Sequence, residues 1–262
     1  MKVGFIGAGN MGSALARAAS KYNGIELYVS DANEEKCRAL SDSVGAAVSK
    51  NCEIAASCDF VFLAVKPQQL KELLDEIKDS LSDGAILVSM AAGVSISSIE
   101  AMLGKKRPII RIMPNTPVSV GCGVILLSKS DETEESSVTL FKDIMASSGE
   151  IDLIDEGLID AGTALSGCSP AFVFMFIDAL VEGGIKAGLS KEKAKIYAAK
   201  TLIGASELFL ASGKEPDELK TAVCSPGGST IEGVRVLEAE NFKKTVSDAL
   251  IASYEKTKAL GK

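Results

Sequence analysis

Residues 1–12 read MKVGFIGAGNMG, and no other stretch restricts the fold as much. Lys2–Ile6 is a short apolar strand, and Gly7, Gly9 and Gly12 follow directly in the spacing G-x-G-x-x-G. From Met11 onward Ala14, Leu15, Ala18 and Ala19 recur at helical spacing, so the glycines fall at a strand-to-helix turn. At such a turn Gly7 permits the tight bend, Gly9 lets backbone approach a pyrophosphate, and Gly12 lets the helix pack closely on the strand. The helix start then offers unpaired N–H groups to phosphates. A plain βα turn with incidental glycines is the bland alternative, and the strand and helix on either side weigh against it.

Strand and helix alternate as far as Ile154. Apolar segments at 25–29, 60–65, 85–90, 109–113, 123–127 and 150–154 predict strands, with helices from Asn33, around Leu70–Ile77 and over 134–145. This pattern predicts a doubly wound, mainly parallel Rossmann-type sheet over 1–154, with ligands beyond the carboxyl ends of its strands. Gly7–Gly12, Ala64–Pro67, Met90–Ala92 and Met113–Asn115 lie at those ends, which makes Asn115 a candidate cofactor contact. Asp31 stands about 20 residues past the last glycine, where a carboxylate bonds a ribose 2′-hydroxyl and repels a 2′-phosphate. Capping of the helix that follows is the equal alternative for Asp31.

After Ile154 helices take over, at 171–187, 191–212, 216–223, 230–240 and 242–260. They predict an all-α domain over 155–262. Ala171–Leu180 (AFVFMFIDAL) is apolar nearly all round and suits a helix buried on every side, which a domain this small has difficulty providing from one chain. A core shared with a second subunit is expected. The loop Ser225-Pro226-Gly227-Gly228-Ser229-Thr230 places consecutive N–H groups at a helix start, a receptor for a carboxylate, with a plain Ser/Thr-capped turn as the alternative reading.

Composition excludes several classes. A net charge of -7 argues against nucleic acid or an anionic membrane as partner. Histidine is absent, which removes the commonest general base and metal ligand together. The six cysteines show no metal spacing and read as reduced, mostly buried side chains of a cytoplasmic protein. The uncharged runs 84–99, 112–128 and 161–177 fall short of the roughly 20 residues that span a bilayer, so no transmembrane segment is expected. With a strand beginning at Lys2, no signal or transit peptide is expected either.

With these pieces in place the chain resembles the pyrroline-5-carboxylate reductase family. The resemblance is carried by GFIGAGNMG (4–12), AVKP (64–67), AAGVSISSIE (91–100), RIMPNTP (111–117), LSGCSPAFVFMF (165–176) and LKTAVCSPGGSTIEGVRVLE (219–238). It implies hydride transfer from a reduced nicotinamide dinucleotide to the C=N carbon of 1-pyrroline-5-carboxylate, giving proline in the last step of proline biosynthesis. It places Ile6, Gly7, Ala8, Gly9, Asn10, Met11, Asn51, Ala64, Val65, Lys66, Pro67, Met90, Ala91 and Ala92 around the cofactor. Ser225, Gly228, Ser229 and Thr230 would hold the substrate, beside Gly227 of the same loop, with Thr230 orienting the ring N–H. Lys66 is read as a ribose contact rather than a solvated strand end.

The resemblance also implies a dimer through the helical domain, with decamers as a larger assembly. Cys168 and Phe172 depart from the more usual Ser and Tyr. NADPH is the expected cofactor, with NADH as the second: Ser30 and Asn33 suit a 2′-phosphate, whereas Asp31 opposes it. The alternatives are a reductase of another small cyclic imine, a β-hydroxyacid dehydrogenase and a non-catalytic nucleotide-binding regulator. The dehydrogenase would need a lysine early in the first long helix of the second domain. Lys186 lies about four turns too far along.

Overall fold

A computed structural model describes residues 1–260. The strands are β1 (Lys2–Ile6), β2 (Glu26–Ser30), β3 (Ala47–Val48), β4 (Phe60–Leu63), β5 (Ile86–Ser89), β6 (Ile109–Pro114), β7 (Gly123–Lys129) and β8 (Gly149–Leu153). The helices beside them are α1 (Asn10–Ala19), α2 (Glu34–Val44), α3 (Asn51–Ser57), α4 (Pro67–Ile77), α5 (Ile96–Leu103) and α6 (Glu135–Met145). The sheet order is β3-β2-β1-β4-β5-β6-β7-β8, and every neighbouring pair is parallel except β6 with β7. The chain leaves β1 toward β2 and β3, then returns to β4 on the other side of β1. The switch point therefore falls between the ends of β1 and β4, where an open α/β sheet leaves a crevice.

Alternate residues of the central strands feed two cores. Val3, Phe5, Phe60 and Phe62 pack with α1 and α6 on one face, while Val61, Leu63 and Leu87 pack with α3, α4 and α5 on the other. Phe5 stacks on Phe62 with ring centroids 4.3 Å apart. Burial on both faces is why β4 reads as an unbroken apolar run instead of an alternating one.

Two compact units emerge: Met1–Cys168 with residues 253–260, and Ser169–Ala252. The strands stop at Leu153, but the first unit continues past the boundary expected near 154, for a visible reason. The buried guanidinium of Arg111 on β6 donates to Glu156 Oε1 at 2.9 Å and lies 3.8 Å from Asp160. Ile96 N, opening α5, donates to the same Glu156 oxygen at 2.8 Å. Leaving a buried arginine without these carboxylates would be costly, so residues 156–160 stay with the sheet. The short helix α7 (Ile159–Gly162) and a π-turn over Thr163–Cys168 follow.

The second unit is built from α8 (Ser169–Lys186), α9 (Lys191–Ser212), α10 (Pro216–Ala222), α11 (Ser229–Ala239) and the first part of α12 (Phe242–Leu260). Its own core is small: Val181, Ala194 and Ala198, with Ile177 against them. The expectation that 171–180 is buried on every side fails within the single chain, where Phe174 is 64% and Met175 72% exposed. The expected limit on membrane-spanning length also needs correction. Glu156–Lys186 form one helical stretch that is long and apolar enough to cross a bilayer by length and composition. The uncharged run within it is shorter, but the helix extends through charged residues at both ends.

The cysteines are less buried than expected. All six are free, with Cys37 and Cys58 buried, Cys122 exposed and the other three between. Burial pushes the Cys58 thiol up to about 11 and also raises that of Cys37. At pH 8, Cys122 should therefore react first with a chromogenic disulfide, and Cys37 and Cys58 only on unfolding. Loss of the fast phase in Cys122→Ser would verify this, and a fast phase that survives would refute it.

Candidate active site

The glycine turn owes its shape to two close approaches. Gly7 has φ +114°, and a Cβ there would sit 2.3 Å from the Ala64 carbonyl oxygen. A Cβ on Gly12 would sit 2.3 Å from the Gly7 carbonyl oxygen and 2.9 Å from the Ala64 Cβ, so the helix start rests on the turn and on the end of β4. At Gly9 a Cβ would meet nothing within 4 Å. The turn is thus closed on its protein side and open where a ligand would lie. Helix α1 begins at Asn10 with Gly9 as N-cap and no side-chain cap bond, which leaves its first N–H groups available to an anion.

A groove of about 400 Å³ opens beside this turn. Of the residues expected at the cofactor, Ile6, Gly7, Gly9, Asp31, Asn51, Ala64, Val65 and Lys66 line it. The groove also takes Ala32 and Lys36 from the β2 side, and Gln69, Glu72, Leu73 and Glu76 from α4. Apart from the uncharged Ala32, none of these residues carries a local sequence signal for the site. Spacing from the glycines points to the end of β2 and no further, and Lys36 looks like any exposed lysine in a first helical turn.

Asp31 is not a helix cap. Asn33 caps α2, its Oδ1 accepting from Lys36 N at 3.0 Å. The two carboxylate oxygens of Asp31 instead accept from Ala8 N at 2.6 Å and Asn33 N at 2.7 Å. Gly7 N donates to Ser30 O at 2.7 Å, a second tie between the turn and β2. The Asn51 amide donates to Glu76 Oε2 at 3.0 Å, which orients it at the start of α3.

The other expected contacts are placed as follows. Ala8, Asn10 and Met11 belong to the turn and the first residues of α1, and Ser30 ends β2. Pro67 opens α4, where the fixed proline φ suits a first helical position. Met90, Ala91 and Ala92 follow β5, with Ala91 buried. Asn115 is not in the groove lining. Its Oδ1 accepts from Val124 N at 2.8 Å and its Nδ2 donates to Ser166 O at 2.9 Å, so both ends of the amide are anchored to the protein.

In the helical unit, Ser225–Gly228 form a turn before α11, whose first two residues are Ser229 and Thr230. Gly227 has φ +73°, and Gly228 N donates to Ser225 O at 3.0 Å. The reading as a Ser/Thr-capped turn fails, because the N-cap of α11 is Gly228 and no side chain bonds there. Among the described residues, the hydroxyls of Ser225, Ser229 and Thr230 have no hydrogen-bond partner. Three hydroxyls and an uncapped eleven-residue helix start give this loop donors for a carboxylate without a charged side chain.

Comparison with known proteins bears on both units. Residues 156–260 match the family model described as pyrroline-5-carboxylate reductase dimerisation, and residues 2–93 match one described as NADP oxidoreductase, coenzyme F420-dependent. The chain is 40% identical to a pyrroline-5-carboxylate reductase of Aquifex aeolicus over 99% of its own length and 97% of the relative's. It is 37% identical to the Escherichia coli protein of that name, over 100% and 98%. Among solved structures, Plasmodium falciparum pyrroline carboxylate reductase with NADP bound aligns with a TM-score of 0.88 and 36% identity, covering 100% of this chain and 98% of that one.

Proposed function

The chain belongs to the pyrroline-5-carboxylate reductase family, and on that basis we propose that it reduces 1-pyrroline-5-carboxylate to L-proline, the closing step of proline biosynthesis. The observation that carries this reading is identity with such reductases along the whole chain, both units included. We place the reaction in the cytoplasm, with NADPH as first cofactor and NADH as second. The subunits pair through the C-terminal helices, and decamers are the larger assembly.

The residues present fit a nicotinamide dinucleotide: the turn is open at Gly9, where a Cβ would meet nothing, and the start of α1 is uncapped. Gly7–Met11, Asn51 and Ala64–Pro67 would hold it, with Met90–Ala92 at the neighbouring strand end. When bound, a reduced dinucleotide supplies the hydride. The chain's own work is positional. The N–H groups of Ser229 and Thr230, with the Ser225 hydroxyl, hold the substrate carboxylate. The Thr230 hydroxyl accepts from the protonated ring nitrogen and fixes the ring's orientation. A protonated cyclic imine is already an electrophile, so no side chain has to polarise it, and a chain without histidine suffices.

Initial rates of NADPH and NADH oxidation, each with and without 1-pyrroline-5-carboxylate, test this directly. Substrate-dependent oxidation is expected with both cofactors. Its absence from folded protein that still binds nucleotide would overturn the assignment. Thr230→Ala removes one hydrogen bond to a charged group, worth about 1.5–3 kcal/mol, and should slow turnover by roughly ten- to a hundredfold. Unchanged kinetics in that variant would show that the substrate is held elsewhere.

A further inference from the structure

We propose that Lys36 is the residue through which this chain accepts a 2′-phosphate on the adenosine ribose, and so the residue that sets its choice between NADPH and NADH. The proposal rests on the dinucleotide reading of the groove. Lys36 shares that groove with Gly7, Gly9, Asp31 and Asn51. Its side chain is exposed and has no ion-pair partner among the described residues. The nearby Arg38 is paired with Glu34 at 3.0 Å, which leaves Lys36 as the unpaired cation of this helix start.

The hydrogen bonds of Asp31 move the selection onto Lys36. At the end of β2 a carboxylate ordinarily favours the unphosphorylated ribose by accepting its 2′-hydroxyl and repelling a phosphate. Here each oxygen of Asp31 already accepts a backbone N–H, from Ala8 and from Asn33. Its first task is to hold the glycine turn against β2, whichever dinucleotide binds, and two donors offset part of its charge. Ala32 brings no charge, and with its side-chain oxygen capping α2 Asn33 offers only the neutral donors of its Nδ2. Lys66, the other cation in the lining, follows β4. That strand lies on the opposite side of β1 from β2, so Lys66 sits across the glycine turn from Lys36. A dianionic 2′-phosphate at the β2 end is therefore met by Lys36.

Calorimetric titration of the whole enzyme with 2′-phospho-ADP-ribose and with ADP-ribose separates the possibilities. In Lys36→Glu the first probe should bind about ten- to a hundredfold more weakly, the range of one charge-assisted contact, while the second stays within about twofold. Lys36→Arg should keep the preference, and salt should weaken the first probe more than the second. In turnover, the ratio of kcat/KM for NADPH to that for NADH should fall about ten- to a hundredfold in Lys36→Glu, the range of one charge-assisted contact. Equal effects on both probes, or no effect on either, would overturn the role of Lys36 and leave the dinucleotide reading standing. Wild-type protein that binds neither probe and oxidises neither cofactor would overturn the reading itself, and this proposal with it.

Discussion

Alanine at position 7 should lower stability by about 3–5 kcal/mol, a fall in Tm on the order of 10 °C or more, and should abolish measurable dinucleotide binding. Gly7 combines a φ of +114° with a Cβ position 2.3 Å from one backbone atom of Ala64 and 2.7 Å from another. Neither neighbour can retreat cheaply. Ala64 N donates to Ile6 O at 2.8 Å, extending the β1–β4 ladder, and Gly7 N donates to Ser30 O at 2.7 Å on the β2 side. An added methyl must break one of these ties or force a left-handed conformation on an L-residue. Gly9→Ala is the control, because a Cβ there meets nothing within 4 Å. It should unfold within about 2 °C of wild type, as surface substitutions do, yet bind NADPH more weakly. A Gly7→Ala protein with normal Tm and affinity would show that the turn tolerates a side chain. Weak binding in Gly7→Ala alone, with Gly9→Ala normal, would show that the open side of the turn is not where the phosphates lie.

The contrast between these glycines also shows how far the sequence was legible. The turn, the Rossmann-type sheet and the position of Asp31 depend on local period and spacing, and they were readable. The job of Asp31 was not, because its partner Ala8 lies across a β1–β2 pairing that a linear reading does not supply. Glu72, Glu76 and Lys36 join the groove only when α2 and α4 are laid against one sheet edge, and nothing in their local pattern sets them apart from solvated helix residues. The protein bonds of Asn115 were hidden for the converse reason. The residue stands at a strand end, where ligand contacts collect, but its amide bridges β7 and the turn at Ser166. Glu156 and Asp160 gave no signal either, since their meaning depends on a buried Arg111 that is distant in sequence. The apolar run at 171–180 announces burial without saying against what.

That open question leads to the second large effect. Met175→Glu should convert the protein from dimer to monomer at micromolar concentration. In the single chain Met175 is 72% exposed, so a charge at that position should change the fold's stability by no more than about 0.5 kcal/mol. In a two-fold dimer the same surface patch serves both partners and every substitution acts twice. Burying one such side chain is worth about 1.5–3 kcal/mol, so losing two weakens association by about 3–6 kcal/mol, on the order of 10²- to 10⁴-fold in Kd. Phe174→Glu, at 64% exposure, should behave alike. Sedimentation of wild type and variants, together with circular dichroism, reads both quantities. Folded variants that sediment as monomers, against a wild type of dimers or larger, would assign this face to a second copy of the chain, in keeping with the dimerisation model that spans residues 156–260. A wild type that sediments as a monomer would instead leave the exposed apolar face at Phe174 and Met175 with no partner of its own kind. If that monomer also moved onto liposomes, and Met175→Glu released it, the bilayer would be what covers that face.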